Sequence, residues 1–295
     1  MSDSRICPVC NERADIYVWL AEHKMYQCAG CKTAFVHPAP SKSKLNEFYD
    51  RFHRGADEGG WYDEAETRMA ADFPAKVDTI ARLTGRPARI LDVGCGKGAF
   101  VRACLARDLD AEGIDISRSA VAYAQNVIGV PAHVGDLGEE HSLGCRYDCV
   151  TLWATIEHLA SPEKMLKGIR GALKEGGYLV LDTGIGDDWL DRLLPGVVQW
   201  YDPPQHLWVF SIEGIRRLLR KNGFRVVSIQ TSFERNAARR AAKSVRGFVA
   251  GVLLRGAATI ALLKIKPPYF TRFPVGNLMQ VVAQRLPDAE FDAAR

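Results

Sequence analysis

Little in this chain suggests an extracellular or fibrous protein. Eight cysteines in 295 residues are too few for a disulfide scaffold. The opening MSDSRICPVC has no basic stretch followed by an apolar run, so a secretory signal is not expected there. No repeat or low-complexity tract is visible, which sets aside repeat architectures. Acids are nearly missing from one stretch. Between Arg216 and Lys266 thirteen Lys/Arg face Glu234 alone, a local +12 in a chain of net charge +4, so the remainder carries −8. That imbalance needs a local explanation, because the chain as a whole is not strongly basic. What is present is ordinary for a globular protein that buries a core: 47% hydrophobic and 25% charged residues. The length suits one large domain and a small appendage.

Four of the cysteines are paired. Cys7-Pro-Val-Cys10 and Cys28-Ala-Gly-Cys31 are separated by seventeen residues, the spacing of a four-thiolate zinc site. Each tight turn sets two sulfurs on one face, and the apolar residues around Ile16–Trp19 and Met25-Tyr26 read as two short strands between them. A redox dithiol or two disulfides are the competing readings. A module of about forty residues buries too little surface to fold unaided, so zinc would supply folding energy. Four sulfurs close the coordination shell, which makes the metal structural. The thiols imply a reducing, cytoplasmic setting.

After a polar-aromatic connector and a helical pattern over 64–83, the chain alternates strand-like and helix-like runs, the pattern of a doubly wound α/β sheet. Strands are expected at 89–93, 110–115, 132–134, 147–152, 178–182, 224–230 and 278–284. Helices are expected at 99–107, 118–127, 162–173 and 212–222. Ser161 before Pro162, and Ser211, are good caps. Ligands of such sheets sit beyond the carboxyl ends of the strands.

The first strand runs into ILDVGCGKGAF, residues 90–100. Gly94, Gly96 and Gly98-Ala99 satisfy the loose dinucleotide pattern, which alone discriminates little. Asp92 decides. A carboxylate beside the glycine turn would repel a pyrophosphate and attract a cation such as the ammonium of S-adenosylmethionine. Asp115 ends the second strand, where it can accept both ribose hydroxyls. Asp136 follows the third, placed for the adenine amino group, with Leu137 to pack on the ring. Read structurally, all three would be turn and cap residues; their joint position at three successive strand ends favours the ligand.

Across about 64–231 the chain resembles the class I S-adenosylmethionine-dependent methyltransferases, through LDVGCGKGAF, GIDIS, GDL and YDCVTLWATIEHLASPEKMLKGIRGALKEGGYLVLD. The resemblance implies a Rossmann-like seven-stranded sheet with an antiparallel last strand. It implies cofactor contacts at Asp92, Gly94, Gly96, Asp115, Ile116, Asp136, Leu137 and Trp153. The zinc ribbon ahead of this domain, with PPQHLWVFSIEGIRRLLRKNGF, is similar to quinone-pathway O-methyltransferases and to zinc-containing sugar C-methyltransferases. The expected layout is a ribbon at 1–40, a connector and helical lid at 41–84, and the methyltransferase domain at 85–295.

The expected acceptor is a small molecule methylated on a hydroxyl oxygen, as in a phenol, sugar or lipid-linked metabolite. Glu157-His158 lies past the fourth strand, where the methyl group should project, and His158 has the pKa of a general base. His206 is the competing base. Each also reads as an anchor of its own loop. The quinone-pathway enzymes add an acid three residues before the Glu-His pair to build a metal site. Here that position is Ala154, so no catalytic metal is expected. Asp202-Pro-Pro-Gln205 follows the fifth strand and lacks a stacking aromatic, unlike the amino-methylating nucleic-acid enzymes, and no Pro-Cys dipeptide of the cytosine-C5 type occurs. RNA methylation, with the ribbon as nucleic-acid module, is the second reading. Against it, the ribbon offers few basic residues for a phosphate backbone. A sugar C-methyltransferase is a further alternative.

The basic block contains an apolar run, 247–263, interrupted by Arg255 and followed by Pro267-Pro268. It forms an insertion at about 232–275 before the last strand, expected to be helical. The segment from Arg235 to Pro268 is expected to cover the acceptor pocket or make a homodimer contact, with peripheral membrane association as an added expectation.

Overall fold

A computed structural model describes residues 3–20, 23–54, 69–139, 147–186, 205–233 and 277–293. The basic insertion lies outside the described residues, apart from the end of the strand that leads into it. Among the described residues no helix is long and apolar enough to cross a membrane.

The cysteine-rich front folds as an antiparallel sheet. Its strands are β1 (Ser4–Ile6), β2 (Arg13–Leu20), β3 (His23–Cys28) and β4 (Ala34–Val36). The alternation expected around Ile16 and Met25 is therefore present, with a register irregularity between Ile16 and Val18. The connector is not irregular throughout: Lys42–Arg54 is a helix, begun where Ser41 Oγ accepts from Lys44 N. A second helix, Phe73–Thr84, ends at Gly85, whose φ of +74° lets the chain leave the helix.

The large sheet follows in the expected order. Parallel strands β5 (Arg89–Val93), β6 (Asp110–Asp115), β7 (Ala132–Val134), β8 (Tyr147–Trp153) and β9 (Leu173–Gly184) alternate with helices Ala99–Leu105, Arg118–Tyr123 and Pro162–Ala172. A two-residue strand β10 (Trp208–Val209), the helix Ile212–Lys221 and strands β11 (Phe224–Phe233) and β12 (Asn277–Arg285) complete the series, with a short helix Asp288–Ala293 after them. The spatial order is β11-β12-β9-β8-β5-β6-β7. β12 runs antiparallel to both neighbours. The central strands are apolar on both faces because helices cover both: Ile90, Leu91, Val150 and Leu152 are fully buried. Each contributes about 1.5–3 kcal/mol through burial.

The four-stranded ribbon sheet has a fifth strand from far along the chain. β10 pairs antiparallel with β4, Trp208 opposite Phe35 and Val209 opposite Ala34. The ribbon side chains Met25, Tyr26 and Phe35 share one apolar cluster with Leu179, Leu181, Phe210 and Leu219 of the large unit. The reason is visible in the helix Ile212–Lys221. Ser211 caps it, accepting from Gly214 N at 2.7 Å, and Gly214 abuts the ribbon: a Cβ there would stand 1.8 Å from Thr33 Oγ1.

Candidate functional site

The glycine turn follows the carboxyl end of β5, between β6 and β8. The amides of Gly94 and Cys95 both point at the Ile114 carbonyl, at 2.8 and 3.3 Å. Gly94 has φ +75°, and a Cβ on it would come within 2.5 Å of Thr155 Oγ1. Only glycine lets the turns after β5 and β8 approach this closely. Asp115 ends β6 and closes the turn, accepting from Gly96 N at 2.9 Å and from Ser117 N at 2.8 Å. Each oxygen keeps a further lone pair for a ligand hydroxyl. Ile116 beside it is half-buried.

Asp92 is 3% exposed. Burial pushes its carboxyl up to about 7, against the pull of the Thr151 hydroxyl that donates to it at 2.7 Å. Asp136 is half-buried, accepts from Gly138 N and lies 3.8 Å from Lys42 Nζ of the connector helix. Leu137 is 2% exposed and packs against Gly168 of the helix Pro162–Ala172. Trp153 ends β8, edge-on to Phe100 at 5.0 Å, with Lys76 Nζ 4.0 Å over its ring. Lys76 in turn pairs with Asp182 at 2.6 Å, and the other Asp182 oxygen accepts from Ala154 N. Ala154, the position of the extra acid in the quinone-pathway pattern, has φ +46°. For a residue with a Cβ that conformation costs about 1–2 kcal/mol.

Glu157, His158 and His206 meet beyond β8. One ligand-type atom from each lies within 4.8 Å of the others. The two imidazoles stack at 4.9 Å, and His158 Nδ1 is 2.6 Å from the Gln205 carbonyl oxygen. A carbonyl only accepts, so Nδ1 carries the proton and Nε2 keeps its lone pair. Burial lowers His158 to about 4 and holds His206 well below its usual value. Glu157 is 2% exposed, neither of its oxygens has a partner within 3.5 Å among the described residues, and burial raises it to about 8 against the pull of the Thr183 hydroxyl. At neutral pH the cluster is therefore two neutral imidazoles and a protonated carboxyl. One carboxylate and two imidazoles also form a donor set that a borderline divalent cation accepts.

Tyr49 of the helix Lys42–Arg54 closes this cluster, its ring edge-on to His158 at 6.0 Å and its hydroxyl 3.4 Å from the Gln205 carbonyl. Sequence reasoning passed over Tyr49, Lys76, Thr151 and Asp182. For Tyr49 a signal existed, since Leu45, Phe48, Tyr49 and Phe52 recur at helical spacing after a capping serine.

Away from this cleft, the four paired cysteines converge. Cys7 and Cys31 sulfurs are 3.7 Å apart, those of Cys10 and Cys28 3.3 Å, and all four lie within 4.8 Å of one another. A tetrahedral zinc with ~2.3 Å bonds to sulfur separates its ligands by ~3.8 Å, so the donors fit such an ion. Cys31 N also donates to the Cys28 sulfur at 3.4 Å. Hydrogen bonds, first from Cys7, draw the Cys31 thiol down to about 5.

A seven-stranded sheet of this order, with a glycine turn and acids at three strand ends, defines a class I S-adenosylmethionine-dependent methyltransferase. Residues 64–229 match the family described as "Methyltransferase domain", and the chain belongs to it. It is similar to the ubiquinone biosynthesis O-methyltransferase of Paraburkholderia phymatum, 28% identical over 175 residues that make up 52% of this chain and 72% of that relative. The protein of the same name in Coxiella burnetii is 25% identical over 172 residues, 52% of this chain and 74% of the relative. Among solved structures, the fold resembles the [4+2]-cyclase SpnF (TM-score 0.56, 18% identity, 84% of this chain and 97% of that one). It also resembles the magnesium protoporphyrin IX methyltransferase of Synechocystis with S-adenosylhomocysteine bound (TM-score 0.54, 16% identity, 83% and 100%). The chain is thus an enzyme that uses S-adenosylmethionine as methyl donor toward a small-molecule acceptor.

Proposed function

We propose that the acceptor atom is a hydroxyl oxygen, of a phenol, sugar or lipid-linked metabolite, and that His158 Nε2 takes its proton. The observation that carries this reading is the His158 Nδ1 contact with the Gln205 carbonyl, which leaves Nε2 of this residue, just beyond β8, unprotonated. The name of the relatives, O-methyltransferase, supports oxygen as the target.

In this reading Asp92 receives the cofactor's ammonium, Gly94 and Gly96 let its backbone-facing edge approach, and Asp115 accepts from the ribose. Asp136 accepts from the adenine amino group, Ile116 and Leu137 flank the ring, and Trp153 walls the methionine end. The acceptor oxygen attacks the methyl carbon in line, the carbon–sulfur bond breaks, and the sulfonium leaves as a neutral thioether. The hydroxyl proton passes to His158 Nε2. The protein's main contribution is to hold oxygen and methyl carbon in line. Glu157 and His206 line the proton-accepting side. Cys7, Cys10, Cys28 and Cys31 hold a structural zinc.

The test is to incubate the full chain with S-adenosylmethionine and a metabolite extract and follow mass gains of one methylene. Gain on hydroxyl-bearing compounds supports the reading. Gain confined to RNA, or to carbon positions of sugars, replaces the acceptor. Tight NAD binding with no S-adenosylmethionine binding removes the cofactor assignment.

A further inference from the structure

Residues 205–211 are held from every side. Val36 N of the ribbon donates to the Leu207 carbonyl at 2.9 Å, and Leu207 N donates to the Glu157 carbonyl at 2.8 Å. Trp208 Nε1 reaches the Leu159 carbonyl at 2.8 Å, and its ring lies against Phe35 at 5.7 Å. Gly186 N donates to the Phe210 carbonyl at 2.9 Å. Ser211, fully buried, donates its hydroxyl to the Cys31 carbonyl, the backbone of a zinc-ligand turn. At the other end of the same segment, the Gln205 carbonyl receives the His158 proton.

The seven residues 205–211, hydrogen-bonded at both ends, therefore join the Cys28–Cys31 turn to the imidazole assigned as base. That carbonyl sets the His158 tautomer, and the Tyr49 hydroxyl donates to it as well. If the ribbon shifted against the large sheet, β10 would shift with it, and the carbonyl that orients the ring would move.

We propose that the four-cysteine sheet is a positioning element of the acceptor site: through β10 and Ser211 it fixes the Gln205 carbonyl and with it the tautomer and ring position of His158. The inference rests on the base assignment made above for its catalytic meaning, though not for its structural one. Ser211 and Gly214 are then positioning residues. They touch no reacting atom, and they decide where the reacting imidazole stands. Gly214 matters because its bare Cα lets Thr33 sit against the helix; a Cβ would push the ribbon away.

The experiment is histidine-ring nitrogen NMR on the zinc-loaded full chain, with the His158 signals assigned by their loss in His158→Gln. Wild-type protein should show a single Nδ1–H tautomer for His158. In Gly214→Ala the ribbon is wedged off, and the His158 signals should average between tautomers. S-adenosylmethionine affinity, measured by calorimetry, should stay within about twofold, since the cofactor acids lie on other elements. Adding Thr33→Ala to Gly214→Ala removes the clashing hydroxyl and should restore the wild-type signals. Should Gly214→Ala not fold, chelating zinc from wild-type protein and re-adding it supplies the same reading, with signals lost and regained. Unchanged His158 signals while the amides of residues 34–36 shift would overturn the proposal. If His158→Gln proves fully active, the base assignment falls, and the ring signals still report whether the ribbon positions it.

Discussion

The Thr151 hydroxyl donates to Asp92 across 2.7 Å, a hydrogen bond that opposes the burial raising this carboxyl to about 7. An ionised Asp92 is what an ammonium needs. Below pH 7 cofactor binding must therefore expel a proton, and affinity should fall about tenfold per pH unit. The cofactor's own α-amino group loses its charge near pH 8, so binding should peak in the narrow window between. Calorimetry from pH 5.5 to 8.5 in two buffers checks this. Asp92→Asn should flatten the acid limb, and Thr151→Val should move that limb to higher pH. A flat profile in wild-type protein would place the ammonium elsewhere.

Asp115→Ala should weaken S-adenosylmethionine binding by roughly 2–4 kcal/mol, the worth of two hydrogen bonds to a charged acceptor. It also frees the amides of Gly96 and Ser117. Part of the loss should therefore appear as a lower melting temperature without cofactor. Affinity within a factor of about three of wild type would exclude the ribose role.

His158→Ala should lower turnover by about 10²–10⁴-fold while cofactor affinity barely changes. Because His158 is held near 4, the wild-type rate should not decline with pH until well below 6 on account of this group. A dead His206→Ala beside a fully active His158→Ala would transfer the role to His206.

Glu157 is the reverse case. Its folded pKa of about 8 stands above the ordinary value of 4.5, so the folded state holds the proton more tightly than the unfolded chain. The associated stability is complete below about 4.5 and is lost as pH rises through 8. Melting temperature measured from pH 6 to 9 should fall in wild-type protein and stay flatter in Glu157→Gln, where no buried carboxylate can form. Equal slopes would mean that the carboxyl is already ionised at neutral pH.

One zinc per chain is expected, and Cys10→Ser or Cys28→Ser should lose it. Loss of the metal removes the folding energy of the ribbon. The shared apolar cluster and β10 extend the damage. Hydrogen exchange after chelation should accelerate in residues 205–211 together with 23–36, while β5 and β8 stay protected. Elemental analysis without zinc in freshly reduced protein would reject the site.

The parts of this molecule that repeat at short range were legible. β5, β6 and β7 occupy the expected ranges because strands such as Arg89–Val93 announce themselves by apolar runs between a proline-containing turn and a glycine turn. The helix Pro162–Ala172 was visible through its Ser161-Pro162 start. Asp92 and Asp115 could be picked out because strand ends are where side chains reach ligands. The helix Lys42–Arg54 was missed, since its charged residues mask the spacing of Leu45, Phe48 and Tyr49. β10 was not foreseeable. Two residues, Trp208 and Val209, pair with partners far back in the chain, and no local pattern records that. Nor does any residue type mark Gln205, whose contribution is a backbone carbonyl that every residue has.

The ribbon's borrowed strand also sets an order of events during synthesis. Trp208 leaves the ribosome about 170 residues after Phe35, its partner, which at ~5–20 residues per second is ~10–35 seconds. For that interval Cys7, Cys10, Cys28 and Cys31 exist without the strand and the helix cap that enclose them in the finished protein. Metal capture in that time would protect the thiols from oxidation and hold β4 ready to receive β10. A nascent chain made without zinc would meet its own second half with the receiving edge unformed.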